Sequence, residues 1–199
     1  MSAYMKNRFQ FFGIRSPERK KLFADYLKKF PPPNDSEIIF EFVRQCWEME
    51  ERELHYCALE LLIKNHRLWG PDDLPFFEYL ITRQSWWDTV DSIAPNVLGK
   101  WFLKYPENIP QSIDSWLLSD NIWLQRCCLL FQLKYKAKTD TDLLEKVIVE
   151  LKDSREFFIR KAIGWALRQY AKIDPHFVLE FTQRHKLSTL SQREALKHL

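Results

Sequence analysis

The stretches WLQRCCLLFQLKY (residues 123–135) and FIRKAIGWALRQY (residues 158–170) match each other at an offset of 35 residues. An aromatic residue begins each stretch, at Trp123 and Phe158, and a tyrosine ends each one. Short polar breaks separate pairs of helical segments along the rest of the chain, and the first segment of each pair ends in a similar polar sequence. A period near 35 with two helices per unit is typical of an α-solenoid, in which each repeat packs on its neighbours.

The composition agrees with a helical fold. Only 4 of the 199 residues are glycine, and charged residues interrupt the apolar runs at helical spacing. The tryptophan and glycine signature of tetratricopeptide repeats is missing, and HEAT-like units fit better. We therefore predict an all-α solenoid of HEAT-like repeats with a concave face, built as a single domain over residues 1–199.

The sequence shows no sign of a transmembrane helix, a metal site or a cofactor site. No run of 18 apolar residues occurs, so no transmembrane helix is predicted. The four cysteines lack CxxC spacing and the histidines lack paired ligand spacing, so we predict no metal site and no cofactor. Free cysteines in helical patterns favour a reducing, cytoplasmic location.

The second helices of the repeats can be compared position by position. An aromatic residue at position 0 begins three of them when a step of 36 residues is allowed once: Trp87, Trp123 and Phe158. Four functional-looking residues then fall at positions 3, 4 and 7: Asp91, Arg126, Lys161 and Trp165. Positions 0, 3, 4 and 7 share one helix face, so stacked repeats would align these residues in one strip.

Each of these residues also has an ordinary explanation. Tryptophans usually pack between helices, and Trp86, rotated by about 100° from Trp87, is expected to do so. Asp91 could pair with a lysine, and single basic residues usually lie on a solvated face. Gly164 lies inside a helical pattern, where glycine costs about 1 kcal/mol relative to alanine, and this predicts close approach of another backbone.

Five stretches together resemble the DNA alkylation repair family, the AlkD-like DNA glycosylases. They are YMKN (4–7), FFGIRSPER (11–19), SWWDTVDSIAP (85–95), SDNIWLQR (119–126) and EFFIRKAIGWALRQYAK (156–172). The resemblance runs over essentially the whole chain. One departure is that family members usually have another helix upstream of the segment at 4–7, so this chain is expected to be a shorter member or a fragment.

The resemblance implies a right-handed solenoid that grips duplex DNA and releases cationic N3- and N7-alkylpurines, which starts base excision repair. It implies a catalytic role for Asp91 with Trp87 and Trp165 as aromatic partners. It also implies DNA contacts by Arg126 and Tyr4, and the repeat frame adds Lys161 as a second phosphate contact. We expect a cofactor-free monomer that acts on duplex DNA, without membrane attachment, in the nucleoid region of a bacterial cytoplasm.

Two alternatives stay open at this point. A non-catalytic HEAT-like protein that binds distorted or branched DNA would share the fold without needing the aspartate and its aromatic partners. A HEAT-like protein-interaction scaffold would have an apolar or mixed concave face, and duplex DNA would not compete with its partner.

Overall fold

The computed structural model describes residues 1–199, and helices account for its regular structure apart from one isolated bridge between Gln10 and Glu51. The prediction of an all-α fold is confirmed. The chain divides into two compact units, Met1–Phe76 and Phe77–Leu199. No helix combines the length and apolar character that a membrane crossing requires. The single-domain organisation predicted for residues 1–199 stays a prediction.

The first unit contains three α-helices and several turns of 3₁₀ helix. The α-helices are α1 (Ser16–Lys29), α2 (Ser36–Glu48) and α3 (Arg52–Lys64), and α4 (Leu74–Thr82) begins at the end of this unit. The 3₁₀ turns are Ser2–Met5, His66–Leu68 and Pro71–Asp73. Asp35 sets the start of α2, since its side chain accepts hydrogen bonds from the amides of Glu37 and Ile38. Helices α2 and α3 pack together over a buried apolar face.

A buried glutamate fixes the loop that precedes α1. The Glu53 carboxylate accepts hydrogen bonds from the backbone amides of Phe12, Gly13 and Ile14 at 3.1, 3.0 and 3.1 Å. Gly13 has a φ of 86°, a backbone conformation that residues with a side chain rarely adopt. The neighbouring Arg52 guanidinium lies 3.8 Å from the Phe9 ring centroid. The FFGIR segment is therefore held by a charged residue at the start of α3 rather than by apolar packing alone.

We expect Glu53→Ala to destabilise the protein by about 2–3 kcal/mol, because three amides that bond a buried carboxylate would lose their acceptor. The measurement is the free energy of unfolding in urea. Glu41→Ala is the matched control, since Glu41 lies exposed on α2 and bonds Arg44 and Gln45 of the same helix. Equal stability of the two variants would contradict the structural role of Glu53.

The second unit continues with helices α5 to α12. They are α5 (Trp87–Ile93), a π-helical turn (Ala94–Leu98), α6 (Gly99–Lys104), a 3₁₀ turn (Pro106–Asn108), α7 (Ile109–Leu118), α8 (Ile122–Leu130), a 3₁₀ turn (Lys136–Lys138), α9 (Thr141–Leu151), α10 (Phe157–Tyr170), α11 (Pro175–Arg184) and α12 (Thr189–Ala195). Short polar side chains accept backbone hydrogen bonds at the starts of four of these helices: Asn121, Asp140, Asp174 and Ser188.

Within this unit the helices pack in two rows. Helix α5 contacts α8, α8 contacts α10, and α10 contacts α12, while α7 and α9 pack together and against α8. The core between the rows is aromatic: the Phe102 ring centroid lies 5.9 Å from that of Trp116 and 5.2 Å from that of Phe131. Each helix pair contacts the next one along the chain, as in an α-solenoid.

Two glycines set how closely the helices approach. A Cβ atom at Gly99 would lie 2.4 Å from the Phe131 carbonyl oxygen. A Cβ atom at Gly164 would lie 2.4 Å from Cβ of Glu194 and 2.7 Å from the Ser191 carbonyl oxygen. The predicted close approach at Gly164 is confirmed, and the element that approaches is α12.

Candidate active site

The structure corrects the repeat register by one residue. The residues that precede α5, α8 and α10 are Trp86, Asn121 and Glu156, which are separated by 35 residues each time. The step of 36 residues that placed Trp87 beside Trp123 was therefore wrong, because it matched aromatic side chains rather than helix starts. In the corrected register one position is shared by three charged residues on neighbouring helices: Asp91, Arg126 and Lys161.

Asp91 and Arg126 form a two-pronged ion pair between α5 and α8. Arg126 Nε lies 2.7 Å from Asp91 Oδ1, and Arg126 Nη2 lies 2.8 Å from Asp91 Oδ2. The remaining guanidinium nitrogen, Nη1, donates to the backbone carbonyl of Phe158 on α10. The Arg126 side chain is 5% exposed and that of Asp91 is 15% exposed. One buried arginine thus links three adjacent helices and holds the carboxylate in a fixed orientation.

Burial raises the pKa of the Asp91 carboxyl above its ordinary value, and the nearby charge of Asp88 acts in the same direction. The hydrogen bonds and positive charge of Arg126 lower that pKa but do not cancel the effect of burial. A carboxylate with a raised pKa is a stronger base than a solvated aspartate. This property is common among groups that transfer protons in active sites.

The aromatic residues around the pair divide into packed and partly exposed ones. Trp86 is buried, and its ring centroid lies 5.7 Å from that of Trp123 and 5.1 Å from that of Phe158. The predicted structural role of Trp86 is therefore confirmed. Trp87, one turn before Asp91 on α5, is partly exposed, as is Trp165 on α10. The two tryptophans predicted as functional both retain surface for a ligand.

A proline disturbs the helix one turn after Asp91. Pro95 has no N–H to donate to the Asp91 carbonyl, and the helix widens into the π turn Ala94–Leu98. The Asn96 side chain donates to the Ser92 carbonyl at 2.8 Å, which satisfies an acceptor in the distorted turn. This turn was not predicted from the sequence, although a proline inside a helical pattern is the signal that indicates it.

Lys161 is paired with a residue that the repeat pattern does not predict, Glu194. Glu194 on α12 binds Lys161 Nζ at 2.9 Å and Arg168 Nη1 at 2.7 Å. Glu194 was not indicated because α12 has no matching motif. Arg168 lies within the repeated stretch 158–170, but the equivalent residue one period earlier is Leu133, so the repeat comparison did not single it out. The phosphate contacts expected of Lys161 and Arg126 stay predictions, and for Arg126 the observed partners are both inside the protein.

Tyr4 belongs to the first unit. It lies on the 3₁₀ turn Ser2–Met5, whose last residue, Met5, is buried, while the Tyr4 side chain is exposed. Because the buried Met5 fixes this turn, the adjacent exposed Tyr4 is held where it can contact a ligand. The DNA contact predicted for Tyr4 stays a prediction.

Comparison with known proteins gives one consistent result. The model of the DNA alkylation repair enzyme family matches residues 1–199. A solved structure, described as a predicted DNA alkylation repair enzyme from Enterococcus faecalis, shares 36% sequence identity with the chain and superposes on it with a TM-score of 0.91. The match covers 100% of this chain and 92% of that one. No curated protein matches the chain.

Proposed function

We propose that this chain, which belongs to the family of DNA alkylation repair enzymes, is a monofunctional DNA glycosylase. It hydrolyses the N-glycosidic bond of cationic N3- and N7-alkylpurines in duplex DNA. The observation that carries the proposal is the Asp91 carboxylate, which is largely desolvated and held by both prongs of Arg126. The partly exposed Trp87 and Trp165 lie on the two helices, α5 and α10, that Arg126 ties to α8.

The substrate's own charge explains why a single carboxylate is enough. An N3- or N7-alkylated purine is already a cation, so it leaves without being protonated by the enzyme. The remaining tasks are to stabilise the oxocarbenium-like sugar and to deliver water, as in glycoside hydrolysis. A fixed negative charge serves the first task. The raised pKa of Asp91 serves the second, because a stronger base orients and deprotonates water more effectively.

The ion pair with Arg126 is compatible with this chemistry. Each carboxylate oxygen can accept more than one hydrogen bond, and each receives one from Arg126. Acceptor capacity therefore remains for a water molecule, while the guanidinium prevents the carboxylate from rotating. The orientation is set before substrate arrives, which lowers the reorganisation needed in the transition state.

The tryptophans supply selectivity for charged bases. An indole face attracts a cation by roughly 0.5–2 kcal/mol per contact, and a neutral purine gains no such attraction. Trp87 and Trp165 would thus favour an alkylated nucleotide, and the positive charge that develops on its sugar, over undamaged nucleotides.

The test is incubation of the protein with duplex DNA treated with a methylating agent, followed by chromatography of the free bases. We expect release of 7-methylguanine and 3-methyladenine, with alkali-labile abasic sites in equal number and no release from untreated duplex. Binding of methylated duplex without release of any base would overturn the enzymatic assignment and favour a non-catalytic DNA-binding protein.

The pH dependence of base release follows from the state of Asp91. The mechanism needs the ionised carboxylate, so activity is present above the folded-state pKa and is lost as pH falls through it. Because that pKa is raised, we expect the acid limb to have its midpoint above the value of about 4 that is typical of a solvated aspartate. The measurement is the single-turnover rate of 7-methylguanine release between pH 4 and 8, corrected for spontaneous loss. A rate that stays flat down to pH 4 would contradict this assignment of the base.

The raised pKa of Asp91 affects the stability of the fold in the opposite direction. A carboxyl whose folded-state pKa exceeds its unfolded value favours the folded state when protonated, and this contribution disappears as pH rises through the folded pKa. Asp91 therefore costs stability at neutral pH, where the mechanism needs its charge. Such an exchange of stability for activity is common at active sites.

A further inference from the structure

A cavity lies between the C-terminal ends of α8 and α10 in the second unit. Its volume is about 330 Å³, which is in the range of sites that hold small molecules. The wall is formed by α8, the turn that follows it, α9 and the last turns of α10. No residue of the proposed mechanism lines this cavity, so it is a separate feature of the molecule.

The corrected repeat register explains why a cavity forms here. One repeat earlier the corresponding gap is closed, because Gly99 allows the Phe131 carbonyl oxygen to come within 2.4 Å of the place where a Cβ atom would lie. The Tyr135 hydroxyl also donates to the Gly99 carbonyl at 2.7 Å. The residues 35 positions later carry different side chains at two of these three places: Lys134, Ala166 and Tyr170.

These differences leave space between α8 and α10. Lys134 has the Cβ atom that Gly99 lacks, so the two backbones cannot approach as closely at this point. Ala166 lines the cavity and is far smaller than the buried Phe131, which occupies the same position one repeat earlier. Tyr170 also lines the cavity, and its hydroxyl makes no hydrogen bond to the protein. The sequence of this repeat thus accounts for the cavity.

The cavity has an apolar interior and a basic mouth. Two exposed lysines, Lys136 and Lys172, contribute to its lining. No carboxylate is among the lining side chains, so this positive charge is not balanced within the cavity. An anion with an apolar body fits such a combination of groups. The apolar side chains of the lining are Leu129, Leu133, Leu144, Ala166 and Ile173.

Hydrogen bonds hold the turn that carries Lys136. The Gln132 side chain, which is buried, donates to the Asp140 carbonyl at 3.2 Å and accepts from the Asp140 amide at 2.8 Å. The Thr139 hydroxyl donates to the Lys136 carbonyl at 2.8 Å. Lys136 has a φ of 56°, which is uncommon for a residue with a side chain, and strain of this kind is concentrated at functional sites. The mouth is therefore formed before a ligand arrives, which lowers the entropic cost of binding.

We propose that this cavity binds a small amphipathic anion, with its carboxylate at Lys136 and Lys172 and its apolar body beside Ala166. The Tyr170 hydroxyl is available to donate to the carboxylate. The Gln169 side chain accepts from Lys172 at 2.9 Å through its oxygen, so its N–H donors remain for the ligand. This ligand site goes beyond the proposed function and requires no DNA.

The alternative is a purely apolar cavity that takes neutral molecules or none. In that case the two lysines contribute nothing, and a neutral probe binds as well as an anion of the same shape. Two probes that differ in charge but share an apolar body therefore separate the two possibilities.

The experiment compares 4-phenylbutyrate with its neutral analogue 4-phenylbutan-1-ol by isothermal titration calorimetry of the full chain at low salt. We expect 4-phenylbutyrate to bind more tightly by about 10-fold, because its carboxylate meets two ammonium groups. Methyl NMR signals of Leu133, Leu144 and Ala166 should shift when either probe binds. Equal affinity for the two probes, or no binding of 4-phenylbutyrate, would overturn the proposal.

Lys136→Gln and Lys172→Gln test the basic mouth. Each is expected to weaken binding of 4-phenylbutyrate by about 3- to 10-fold and to leave that of 4-phenylbutan-1-ol unchanged. Lys138→Gln is the matched control, since Lys138 is an exposed lysine of the same 3₁₀ turn but does not line the cavity. An equal loss in the control would mean that general surface charge, and not this cavity, attracts the anion.

Ala166→Phe tests the location, because it restores the residue found one repeat earlier and fills the cavity. We expect it to weaken binding of both probes by about 30-fold or more. Ile173→Asp is a second variant that leaves the core intact, since Ile173 is 43% exposed, and it should weaken binding of the anion alone. If either variant keeps the wild-type melting temperature and the wild-type affinity for 4-phenylbutyrate, the ligand binds elsewhere and the proposal is wrong.

Discussion

Asp91→Asn is expected to lower the rate of 7-methylguanine release from methylated duplex by about 10²–10⁴-fold. Asparagine has almost the same shape, and its amide oxygen still accepts one hydrogen bond from Arg126, but its amide nitrogen cannot accept the second one. The buried guanidinium also loses its counter-ion, so we expect the variant to be less stable by about 3–5 kcal/mol while it still folds. Asparagine carries no negative charge to stabilise the oxocarbenium-like sugar, and it cannot deprotonate water. Both contributions of the carboxylate are therefore lost together.

The single-turnover rate at saturating protein is the measurement, because it separates the chemical step from DNA binding. Asp114→Asn is the matched control, since Asp114 makes an exposed ion pair with Lys146 and the same chemical change is made there. The control should retain the wild-type rate. A rate for Asp91→Asn within about threefold of wild type would remove the basis of the mechanism, provided that both variants bind duplex DNA.

Much of this site could be predicted from the sequence because it lies on repeated elements. The repeat period alone predicts that Asp91, Arg126 and Lys161 lie on neighbouring second helices, although Asp91 entered the frame with a step of 36 residues rather than 35. The error of one residue arose because both residues 86 and 87 are tryptophans, and an aromatic match does not show which of them begins the helix. In the structure α5 begins after Trp86, and the Trp86 ring packs against those of Trp123 and Phe158.

The partners of the charged residues could not be predicted in the same way. A repeat period aligns helices but does not show which side chains are buried, and burial decides whether an arginine meets a phosphate or a carboxylate. Arg126 is desolvated and therefore needs an anion inside the protein, which Asp91 provides. Glu194 lies on a helix outside the repeated motifs, so only the fold brings it to Lys161.

Arg126→Gln is expected to lower base release at neutral pH by about 100-fold or more and to destabilise the fold by about 3–5 kcal/mol. The Asp91 carboxylate would remain desolvated without its buried counter-ion, and loss of one member of such a pair has this effect on stability. Removal of the positive charge also removes the influence that lowers the pKa of Asp91, so that pKa rises further.

The pH dependence of base release tests whether Arg126 acts through the pKa of Asp91. We expect the acid limb of base release to move to higher pH in Arg126→Gln, so that part of the lost activity returns as pH is raised. Arg126→Lys should restore part of the stability but less of the rate, because an ammonium cannot bind both carboxylate oxygens in the planar, two-pronged geometry of the guanidinium.

The salt dependence of duplex binding then separates the two roles that Arg126 can have. The phosphate contact predicted for Arg126 from the sequence would make the salt slope of Arg126→Gln lower by about one. All three observed hydrogen bonds of the guanidinium instead go to Asp91 and to the Phe158 carbonyl, so from the structure we expect a slope equal to that of the wild type. A slope lower by about one, with an unchanged pH profile, would instead mean that Arg126 leaves Asp91 and neutralises a phosphate when DNA binds. In that case Asp91 would lose its counter-ion in the complex, and the substrate's own positive charge would have to replace it.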